Sequence, residues 1–472
     1  MYMIPKPRSV EIAENGSRVK IPATVFGGEF IQAAKTLCGL ANRFCSRKLS
    51  LGEDGIRMIR DGGLAEGAYK LDIGENGVTV SASGESGAYN AVSTLLQILE
   101  PDGSVPAVKI EDSPQDSYSS VMVDLARVWH DFDMLKQYVD LCRFYKIKVL
   151  HLHFTDDQSY TLPSRLFPKL STAGRSYSFS EIKELNEYAR LRGVQIMPEI
   201  DVPGHCESFC EGYPEIFGTK NLIPINQRSM DAMKALFGEL CDLFPYSKYI
   251  HIGGDEAVIS KWIESEEDHG FYRSVGVDPQ NDPEAASEEL LAYFVNEMAD
   301  AVFAKGRQPV AWEGFREEFN GRVRKDLIVI SWENYYQTTP QLLKAGFRII
   351  NCSWQPLYVV APRTFWRERD VFGWDLTLWT PVHNKSPYYG SCVRVDDCEQ
   401  ILGAGLCVWS DQLQKYYKDE CPQGTRDEFE MAAERLPALA ENSWNRKKVR
   451  NYDDYLEARI GLKSKLKKIL EA

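Results

Sequence analysis

Two adjacent acids follow an apolar run in the middle of the chain. Residues 249–252 lead into Gly253 and Gly254, and Asp255 and Glu256 come directly after them. Apolar β-branched residues that end at paired glycines are typical of a buried strand that stops at a tight turn. Neighbouring strand residues point to opposite faces, so one ligand can use both acids only if the turn redirects them, which glycine permits. A plain helix cap at Asp255, with Glu256 in the first turn, is the structural alternative.

The elements that must position these acids repeat along the chain. From residue 119 onwards, strand patterns alternate with helix patterns, and the predicted strands are residues 120–125, 148–154, 194–200, 249–253, 308–312, 327–332, 347–351 and 405–409. Eight such units predict an α/β fold, a (β/α)8 TIM barrel. A doubly wound sheet is the alternative, although it rarely needs eight units.

The pattern predicts three regions. Residues 1–115 form a small non-catalytic α+β domain that is turn-rich, with short strands and a helix over residues 88–99. Residues 116–445 form the catalytic barrel. Residues 446–472 form a C-terminal helix packed on the barrel, because apolar residues recur on one side of it. A homodimer contact is the alternative role of this helix.

The bulk composition excludes several classes of partner. The 472 residues are 44% hydrophobic and 26% charged, and the formal net charge is −13. An acidic chain of this kind is not expected to bind nucleic acid or an anionic membrane. The sequence shows no apolar run that could span a bilayer and no signal-peptide core, and its eleven cysteines are scattered. We therefore expect a cytoplasmic protein with free thiols, although a missing leader would change this.

The residues that follow the predicted strands share one chemistry. They are acids, an arginine, histidines and aromatic residues, namely Asp124, Arg127, Asp156, Asp157, Glu199, Asp201, His205, His251, Asp255, Glu256, Trp312, Glu313, Trp332, Glu333, Tyr358, Trp409 and Asp411. In a parallel barrel these strand ends meet at one rim. Sugar rings stack on aromatic side chains and offer hydroxyls to carboxylates and arginine. The rim therefore predicts a carbohydrate site.

Four stretches at this rim carry a family resemblance. Residues 123–127, 151–158, 198–205 and 251–256 occur in the order found in glycoside hydrolase family 20, the β-N-acetylhexosaminidases, and the chain resembles the bacterial type. The first domain is also similar to the non-catalytic domain of that family. The resemblance implies exo-acting removal of terminal β-linked GlcNAc or GalNAc from a glycan or glycoconjugate, with no cofactor and no metal.

The resemblance also implies a mechanism. Family 20 enzymes are an exception to the two-carboxylate scheme, because the 2-acetamido oxygen of the substrate itself attacks C1 and forms an oxazolinium intermediate. Asp255 would accept the acetamide N–H, and Glu256 would protonate the leaving oxygen and then deprotonate the incoming water. The two acids need different protonation states, so their environments must differ.

The same resemblance assigns the other site residues one by one. Asp156 and His205 would support Glu256, and Arg127 would hold the ring hydroxyls. Tyr358 would donate its hydroxyl to the acetamide carbonyl oxygen. Trp312, Trp332 and Trp409 would form the pocket wall. We also predict that His251, Trp374 and Asp411 contact the substrate.

Two positions depart from the family pattern. The family usually has an acid two residues after the pocket tyrosine, where this chain has Val360, and a glutamate where this chain has Asp411. Both positions normally bind the C4 and C6 hydroxyls. A relaxed gluco/galacto preference, or acceptance of a modified C6, is therefore expected.

Two other functions are weighed against this one. His151 and His153 form an H-x-H pair on a barrel strand, as in metal-dependent amidohydrolases. The seven histidines nevertheless include none near the fifth or sixth predicted strand, and metal analysis would decide. The second alternative is a sugar-binding barrel without catalysis, for which binding without turnover would be the deciding observation.

Overall fold

The computed structural model describes residues 1–14, 16–363, 365–417 and 422–471. The first domain is an α+β unit. Its elements are β1 (Ser9–Ile12), β2 (Arg18–Lys20), β3 (Thr24–Phe26), α1 (Ile31–Phe44), β4 (Ser50–Leu51), β5 (Ile56–Arg60), β6 (Tyr69–Gly74), β7 (Gly77–Ala82), α2 (Glu85–Ile98), β8 (Ser104–Pro106) and β9 (Val108–Asp112). Seven strands form one mixed sheet in the order β1-β9-β6-β7-β5-β3-β4, and β2 pairs with β8.

The second helix of this domain explains how the domain attaches. Most residues of α2 are buried, including the polar Ser93, Thr94 and Gln97. A helix buried all round lies between two partners. Gln97 donates from Nε2 to the main-chain oxygen of Phe144 in the barrel at 2.7 Å. The helix α2 therefore joins its own sheet to the barrel. The sequence pattern predicts this helix but not α1, which is amphipathic and buries residues such as Leu37 and Phe44.

The remaining elements build the barrel and its rim. The first half contains β10 (Tyr118–Asp124), α3 (Phe132–Phe144), β11 (Val149–His153), β12 (Thr155–Asp156), β13 (Ser159–Tyr160), α4 (Phe179–Leu191), β14 (Gln195–Val202), α5 (Glu207–Gly212), α6 (Pro214–Phe217), α7 (Gln227–Leu243) and β15 (Tyr249–Gly253). The second half contains α8 (His269–Ser274), α9 (Pro283–Ala304), β16 (Gln308–Trp312), β17 (Ile328–Ser331), α10 (Thr339–Lys344), β18 (Arg348–Asn351), α11 (Trp354–Leu357), β19 (Tyr358–Val359), α12 (Glu368–Gly373), β20 (Leu378–Trp379), β21 (Val393–Arg394), β22 (Ile401–Val408), α13 (Asp411–Tyr417), α14 (Pro422–Asn445) and α15 (Tyr452–Leu470).

Eight parallel strands close into a barrel, as the sequence predicts. The order is β10-β11-β14-β15-β16-β17-β18-β22, and β22 pairs again with β10. Every residue of β10, β11 and β15 is buried, as expected for parallel strands that are covered by helices. Local sequence signals start the covering helices: Ser178 and Glu181 form a capping box at α4, and Asn226 and Ser229 form one at α7.

The C-terminal helix packs on both domains. The buried face of α15 includes Tyr455, Leu462 and Ile469, whereas Ile460, which belongs to the predicted apolar face, is 60% exposed. Arg43 of α1 donates to the main-chain oxygen of Ile469 at 2.6 Å. The helix thus contacts the small domain as well as the barrel exterior. Among the residues that the structure describes, no helix combines the length and the apolar character needed to cross a membrane.

Candidate active site

The turn after β15 redirects the two acids. Gly253 and Gly254 have φ angles of 71° and 111°, and Glu256 itself has φ of 49°. A Cβ atom on Gly253 would lie 2.1 Å from Oδ1 of Asp201, so only glycine fits there. A non-glycine residue in the left-handed region costs about 1–2 kcal/mol, and such strain is concentrated at functional sites. The turn therefore brings Asp255 and Glu256 to one side of the rim, which a simple helix cap would not require.

The two acids have different surroundings. Asp255 is 8% exposed, and in the described part of the chain its Oδ1 has no hydrogen-bond partner. The Glu256 side chain is 53% exposed. A Cβ atom on Gly314, just beyond β16, would lie 2.0 Å from the carbonyl oxygen of Gly254, so the neighbouring strand end packs directly against the turn. The end of β16 thus holds the turn in place, while Oδ1 of Asp255 remains an acceptor without a donor.

The acids also differ in their proton affinity. Burial, followed by the charges of Asp201 and Glu256, raises the pKa of Asp255 well above its ordinary value. The hydrogen bond from His205 lowers the pKa of Glu256, although burial acts in the opposite direction. Burial also raises the pKa of Asp201 to about 7. The environments of the two acids differ, as the implied mechanism requires. In the free protein, however, Asp255 has the higher pKa, whereas the mechanism needs the proton on Glu256.

A chain of charged groups leads away from Glu256. His205 Nε2 lies 3.3 Å from Oε2 of Glu256, and His205 Nδ1 lies 3.2 Å from Oδ1 of Asp156. The other Asp156 oxygen meets Arg127 Nη2 at 2.6 Å and His153 Nε2 at 3.1 Å. Burial alone would lower the pKa of His205, but the Asp156 and Asp201 carboxylates raise it well above its usual range. His205 is therefore held as a cation between Asp156 and Glu256.

The strand register aligns a polar layer inside the barrel. Asp124 lies opposite His153, His153 opposite Glu199, and Glu199 opposite His251 on four successive strands. The Glu199 carboxylate lies 2.8 Å from His151 Nε2 and 3.1 Å from His251 Nδ1. His251 is fully buried in this layer against Glu199. Its Nδ1 accepts the main-chain N–H of Gly253 at 3.1 Å, and among the described residues its Nε2 has no hydrogen-bond partner.

Aromatic side chains form a continuous wall beside this layer. The Trp312 and Trp409 rings lie 5.9 Å apart, Tyr358 lies 6.1 Å from Trp409, and Trp332 is stacked on Tyr358 at 6.5 Å. The Arg127 guanidinium lies 5.1 Å from the centre of the Trp409 ring. The structure therefore brings Arg127 together with Tyr358 and with the three tryptophans that the sequence assigns to the wall.

Two further predicted residues lie at the edge of this arrangement or outside it. Asp411 begins α13, and its Oδ2 accepts a hydrogen bond from Gln412 at 2.6 Å. Trp374 is buried in the core formed with the C-terminal helices, not in the aromatic wall. Its Nε1 donates to the main-chain oxygen of Leu378 at 2.9 Å. Asn442 Nδ2 donates to the main-chain oxygen of Trp374 at 3.1 Å. The structure does not bring Trp374 to the pocket.

Sequence reasoning assigned no role to the acids that follow two of the wall tryptophans. Glu313 is fully buried, and its carboxylate accepts the main-chain N–H groups of Tyr335 at 2.8 Å and Asn334 at 3.1 Å. Its main-chain oxygen accepts from Trp332 Nε1 at 3.1 Å. Burial raises the pKa of Glu313 to about 7. The Trp-Glu pair at the end of β16 was the visible signal.

The next Trp-Glu pair repeats this device. Glu333 is fully buried and accepts the main-chain N–H groups of Val382 at 3.2 Å and of His383. Burial raises its pKa to about 8. Tyr336 lies at the end of the same segment, where burial, followed by the charges of the two rim acids, raises the pKa of its hydroxyl. Each buried glutamate thus fixes the following rim segment.

Several groups have the composition of a metal site. Among the described residues, four triads place one ligand atom each within 4.8 Å of one another, namely His151–Glu199–His251, His153–Glu199–Asp201, Asp156–Asp157–His205 and Asp201–His205–Asp255. In the first triad, Glu199 Oε1 also accepts from Trp312 Nε1 at 2.5 Å. The Glu199 carboxylate is therefore already used by hydrogen-bond donors on both oxygens.

Comparison with protein families gives two matches. The family described as "Glycosyl hydrolase family 20, catalytic domain" matches residues 117–447, and "Glycosyl hydrolase family 20, domain 2" matches residues 1–113. The first match covers the barrel and every predicted site residue. The second covers the α+β domain.

Individual relatives agree with the family match. A beta-hexosaminidase of Akkermansia muciniphila is 28% identical over 426 residues, covering 82% of this chain and 81% of that protein. A beta-hexosaminidase of Vibrio furnissii is 26% identical, covering 74% of this chain and 62% of that protein. The solved GH20 exo beta-N-acetylglucosaminidase of Vibrio harveyi has a TM-score of 0.78 at 24% identity, covering 99% of this chain and 77% of that one. At that identity the structural likeness shows the fold.

Proposed function

Because the chain belongs to glycosyl hydrolase family 20, we propose that it is an exo-acting β-N-acetylhexosaminidase that works by substrate-assisted retaining hydrolysis. Its substrate class is a glycan or glycoconjugate that ends in β-linked GlcNAc or GalNAc. The observation that carries this proposal is the pair of adjacent acids: a buried Asp255 with an unused oxygen beside a half-exposed Glu256 that His205 contacts.

The unused oxygen of Asp255 suits the acetamide group of the substrate. An acetamide N–H placed on Oδ1 satisfies a buried acceptor and holds the acetamide oxygen towards C1. That oxygen attacks C1 as the glycosidic C1–O bond breaks, and the positive charge on the oxazolinium ring lies next to the Asp255 carboxylate. The ionised form of Asp255, which burial disfavours in the free protein, is then stabilised by the positive charge of the intermediate.

Glu256 then acts twice. Its proton passes to the leaving oxygen in the first step, and it takes a proton from the water that attacks C1 in the second step. The pKa order of the free protein has to reverse for this. A hydrogen bond from the acetamide lowers the pKa of Asp255, while the sugar shields Glu256 from solvent and raises its pKa. The bound substrate thereby moves one proton from Asp255 to Glu256.

The remaining groups hold the ring. Arg127, fixed by Asp124 at 2.9 Å and by Asp156, binds hydroxyls on the sugar. The aromatic wall of Trp312, Trp332, Trp409 and Tyr358 packs against the apolar ring face and the acetamide methyl, and Tyr358 donates its hydroxyl to the acetamide oxygen. Asp156 and His205 keep Glu256 in place.

Turnover of aryl β-glycosides tests the proposal. Purified protein is assayed for aryl release from β-GlcNAc and β-GalNAc glycosides, with Glu256→Gln as the control and with metal content measured. Turnover that the variant loses supports the proposal. Sugar binding without turnover would indicate a catalytically silent barrel, and a stoichiometric metal that activity requires would favour an amidohydrolase.

The same assay examines specificity at C4. Val360 is almost fully buried beside Tyr358 in the wall, where it offers no hydrogen bond, and Asp411 already accepts one from Gln412. We therefore propose that the far side of the ring is bound loosely, with relaxed gluco/galacto preference or tolerance of a modified C6. Similar rates on the two C4 epimers support relaxation, and strict GlcNAc selectivity contradicts it.

A further inference from the structure

A second cavity lies at the opposite end of the barrel from the rim acids. It is a cleft of about 620 Å³ between the small domain and the barrel. Its lining includes Val149, Gln195 and Tyr249, which are the first residues of β11, β14 and β15. The rim acids follow the last residues of these strands, so the cleft is a separate cavity.

One wall of the cleft holds a buried arginine without a counter-ion. Arg143, in the last turn of α3, is 3% exposed. Its Nε donates to Ser93 Oγ at 2.9 Å, Nη2 to Asn90 Oδ1 at 3.2 Å, and Nη1 to the main-chain oxygen of Arg192 at 3.4 Å. All three acceptors are neutral. Within the described residues, no carboxylate forms an ion pair with Arg143.

Two neighbouring charged groups of the cleft are paired. Lys146 also lines the cleft and pairs with Asp112 at 2.9 Å. Asp116 lines it as well, and its carboxylate pairs with Arg446. Burial lowers the pKa of Arg143 to about 10, whereas the carboxylate of Asp112 partly offsets the burial of Lys146. Lys148 also lines the cleft without an ion pair among the described residues, and its Nζ donates to the main-chain oxygen of Asp116. Arg143 is therefore the guanidinium of the cleft whose charge no described carboxylate balances, with the Tyr89 ring 5.6 Å from it.

The geometry of the guanidinium indicates what could balance it. A guanidinium carries five N–H donors, and three are used by the bonds to Ser93, Asn90 and Arg192. Two donors remain, one on each terminal nitrogen, which is the fork that binds two oxygens of one anion. A desolvated charge without a counter-ion raises the free energy of the folded protein, so an anion that pairs with it would bind favourably.

We propose that the interdomain cleft binds a small oxyanion, a phosphate or a carboxylate, through the free fork of Arg143. Such a ligand lies where the domains meet, because Arg143 belongs to the barrel and its partners Ser93 and Asn90 belong to α2. Binding at this point stabilises the two-domain arrangement. The proposal is independent of the proposed hydrolysis.

Thermal unfolding of the full chain tests this site. The melting temperature is measured against inorganic phosphate, and separately against citrate, with sodium chloride holding the ionic strength constant. The wild type should show a saturable increase of about 2 °C or more. Arg143→Met should lose this response, and Arg190→Met should keep it, because Arg190 lines the same cleft but is already paired with Glu187 at 2.8 Å.

The outcomes decide the proposal and the ligand type. A response to citrate alone assigns the site to carboxylates, and a response to phosphate assigns it to phosphates. No saturable response in the wild type, or an equal response in Arg143→Met, overturns it. If Arg143→Met does not fold, Arg143→Lys is used in its place, and its affinity for phosphate is measured by calorimetric titration and compared with that of the wild type. Lysine keeps the charge but lacks the fork, so a loss of about tenfold in affinity is expected, and unchanged affinity also overturns the proposal.

Discussion

The two ends of the barrel hold buried charge in opposite ways. At the rim, carboxylates predominate, and Asp255 has an oxygen without a partner in the described structure. At the interdomain end, cations predominate, and the central acid Asp112 is fully used. Its oxygens accept from Lys146 Nζ at 2.9 Å, Tyr69 OH at 2.8 Å and Trp444 Nε1 at 2.9 Å.

This difference separates structural charge from functional charge. Asp112 joins the small domain to Lys146, just beyond α3, and to α14, so its bonds hold elements together and leave nothing for a ligand. Asp255 sits in a strained turn with an acceptor that no protein group fills. A buried charge whose partners are complete stabilises the fold, whereas one whose partners are incomplete reduces stability until a ligand arrives.

Removing the charge of Asp255 tests this contrast most strongly. Asp255→Asn should lower kcat/KM about a thousandfold, because the carboxylate that balances the oxazolinium is lost. It should also raise the free energy of unfolding by about 1–3 kcal/mol at neutral pH, since an unpartnered buried acid is removed. Aryl release and denaturant unfolding measure the two effects.

The pH dependence of that gain follows from the sign of the shift. The folded pKa of Asp255 is raised above 3.8, so wild-type stability falls as the pH rises from that value towards the folded pKa. Asparagine does not titrate, so the gain should be absent below about pH 3.8 and grow above it. Glu256→Gln is the matched control: its pKa is lowered, so the variant should lose activity without gaining stability. Equal stability changes in the two variants would contradict the contrast.

The largest expected effect on stability lies at the other end of the barrel. Asp112→Asn leaves Lys146 buried without a counter-charge, which should cost about 3–5 kcal/mol. The kcat/KM of the folded protein should stay unchanged, because the rim is not touched. Asp72→Asn, at an exposed position of β6, is the control and should be nearly neutral. Loss of activity in folded Asp112→Asn would show that the two ends are coupled.

The barrel was predictable because its signals are local. Each buried strand is an apolar run that ends in polar or aromatic residues, and all eight strands occur where the sequence placed them. The helix α1 was missed, although Leu37, Leu40 and Phe44 recur at helical spacing, because neighbouring glycines suggested turns. The wide burial of α2 could not be foreseen, since it depends on docking between two domains.

The site was predictable in its residue types and less so in its contacts. The sequence names Asp156, His205 and Glu256. The contacts that His205 makes with the other two depend on how separate loops meet in the folded protein, which the sequence does not show. Trp354 and Trp374 both lie in the segment between the seventh and eighth barrel strands, which is rich in aromatic residues. Packing separates them, because Trp354 lies 5.4 Å from Tyr358 in the wall while Trp374 belongs to the outer core.

The buried glutamates of the rim offer a smaller test. Both oxygens of Glu313 accept main-chain N–H groups. In Glu313→Gln the side-chain NH2 group would replace one of these oxygens and face a main-chain N–H, which is also a donor. The variant should displace Trp332 and lower kcat/KM about tenfold, mostly through KM, which corresponds to about 1.4 kcal/mol. Oε1 of Glu333 accepts from both Val382 and His383, and Oε2 has only a long contact of 3.4 Å with the same Val382 N–H. Glu333→Gln therefore keeps the shorter bonds and should lose about twofold or less. Equal losses would show that the two acids do not differ in this way.

The smallest expected effect distinguishes the pocket wall from the outer core. Trp354→Phe removes part of the wall beside Tyr358 and should raise KM about two- to fivefold, consistent with about 0.5–1 kcal/mol for one aromatic contact. Trp374→Phe removes the bond to Leu378 and should lower the free energy of unfolding by about 1–2 kcal/mol while KM stays constant. Steady-state kinetics and unfolding of both variants measure this. If Trp374→Phe raised KM with unchanged stability, Trp374 would contact the substrate after all, as the sequence predicts, through a loop arrangement that the free protein does not adopt.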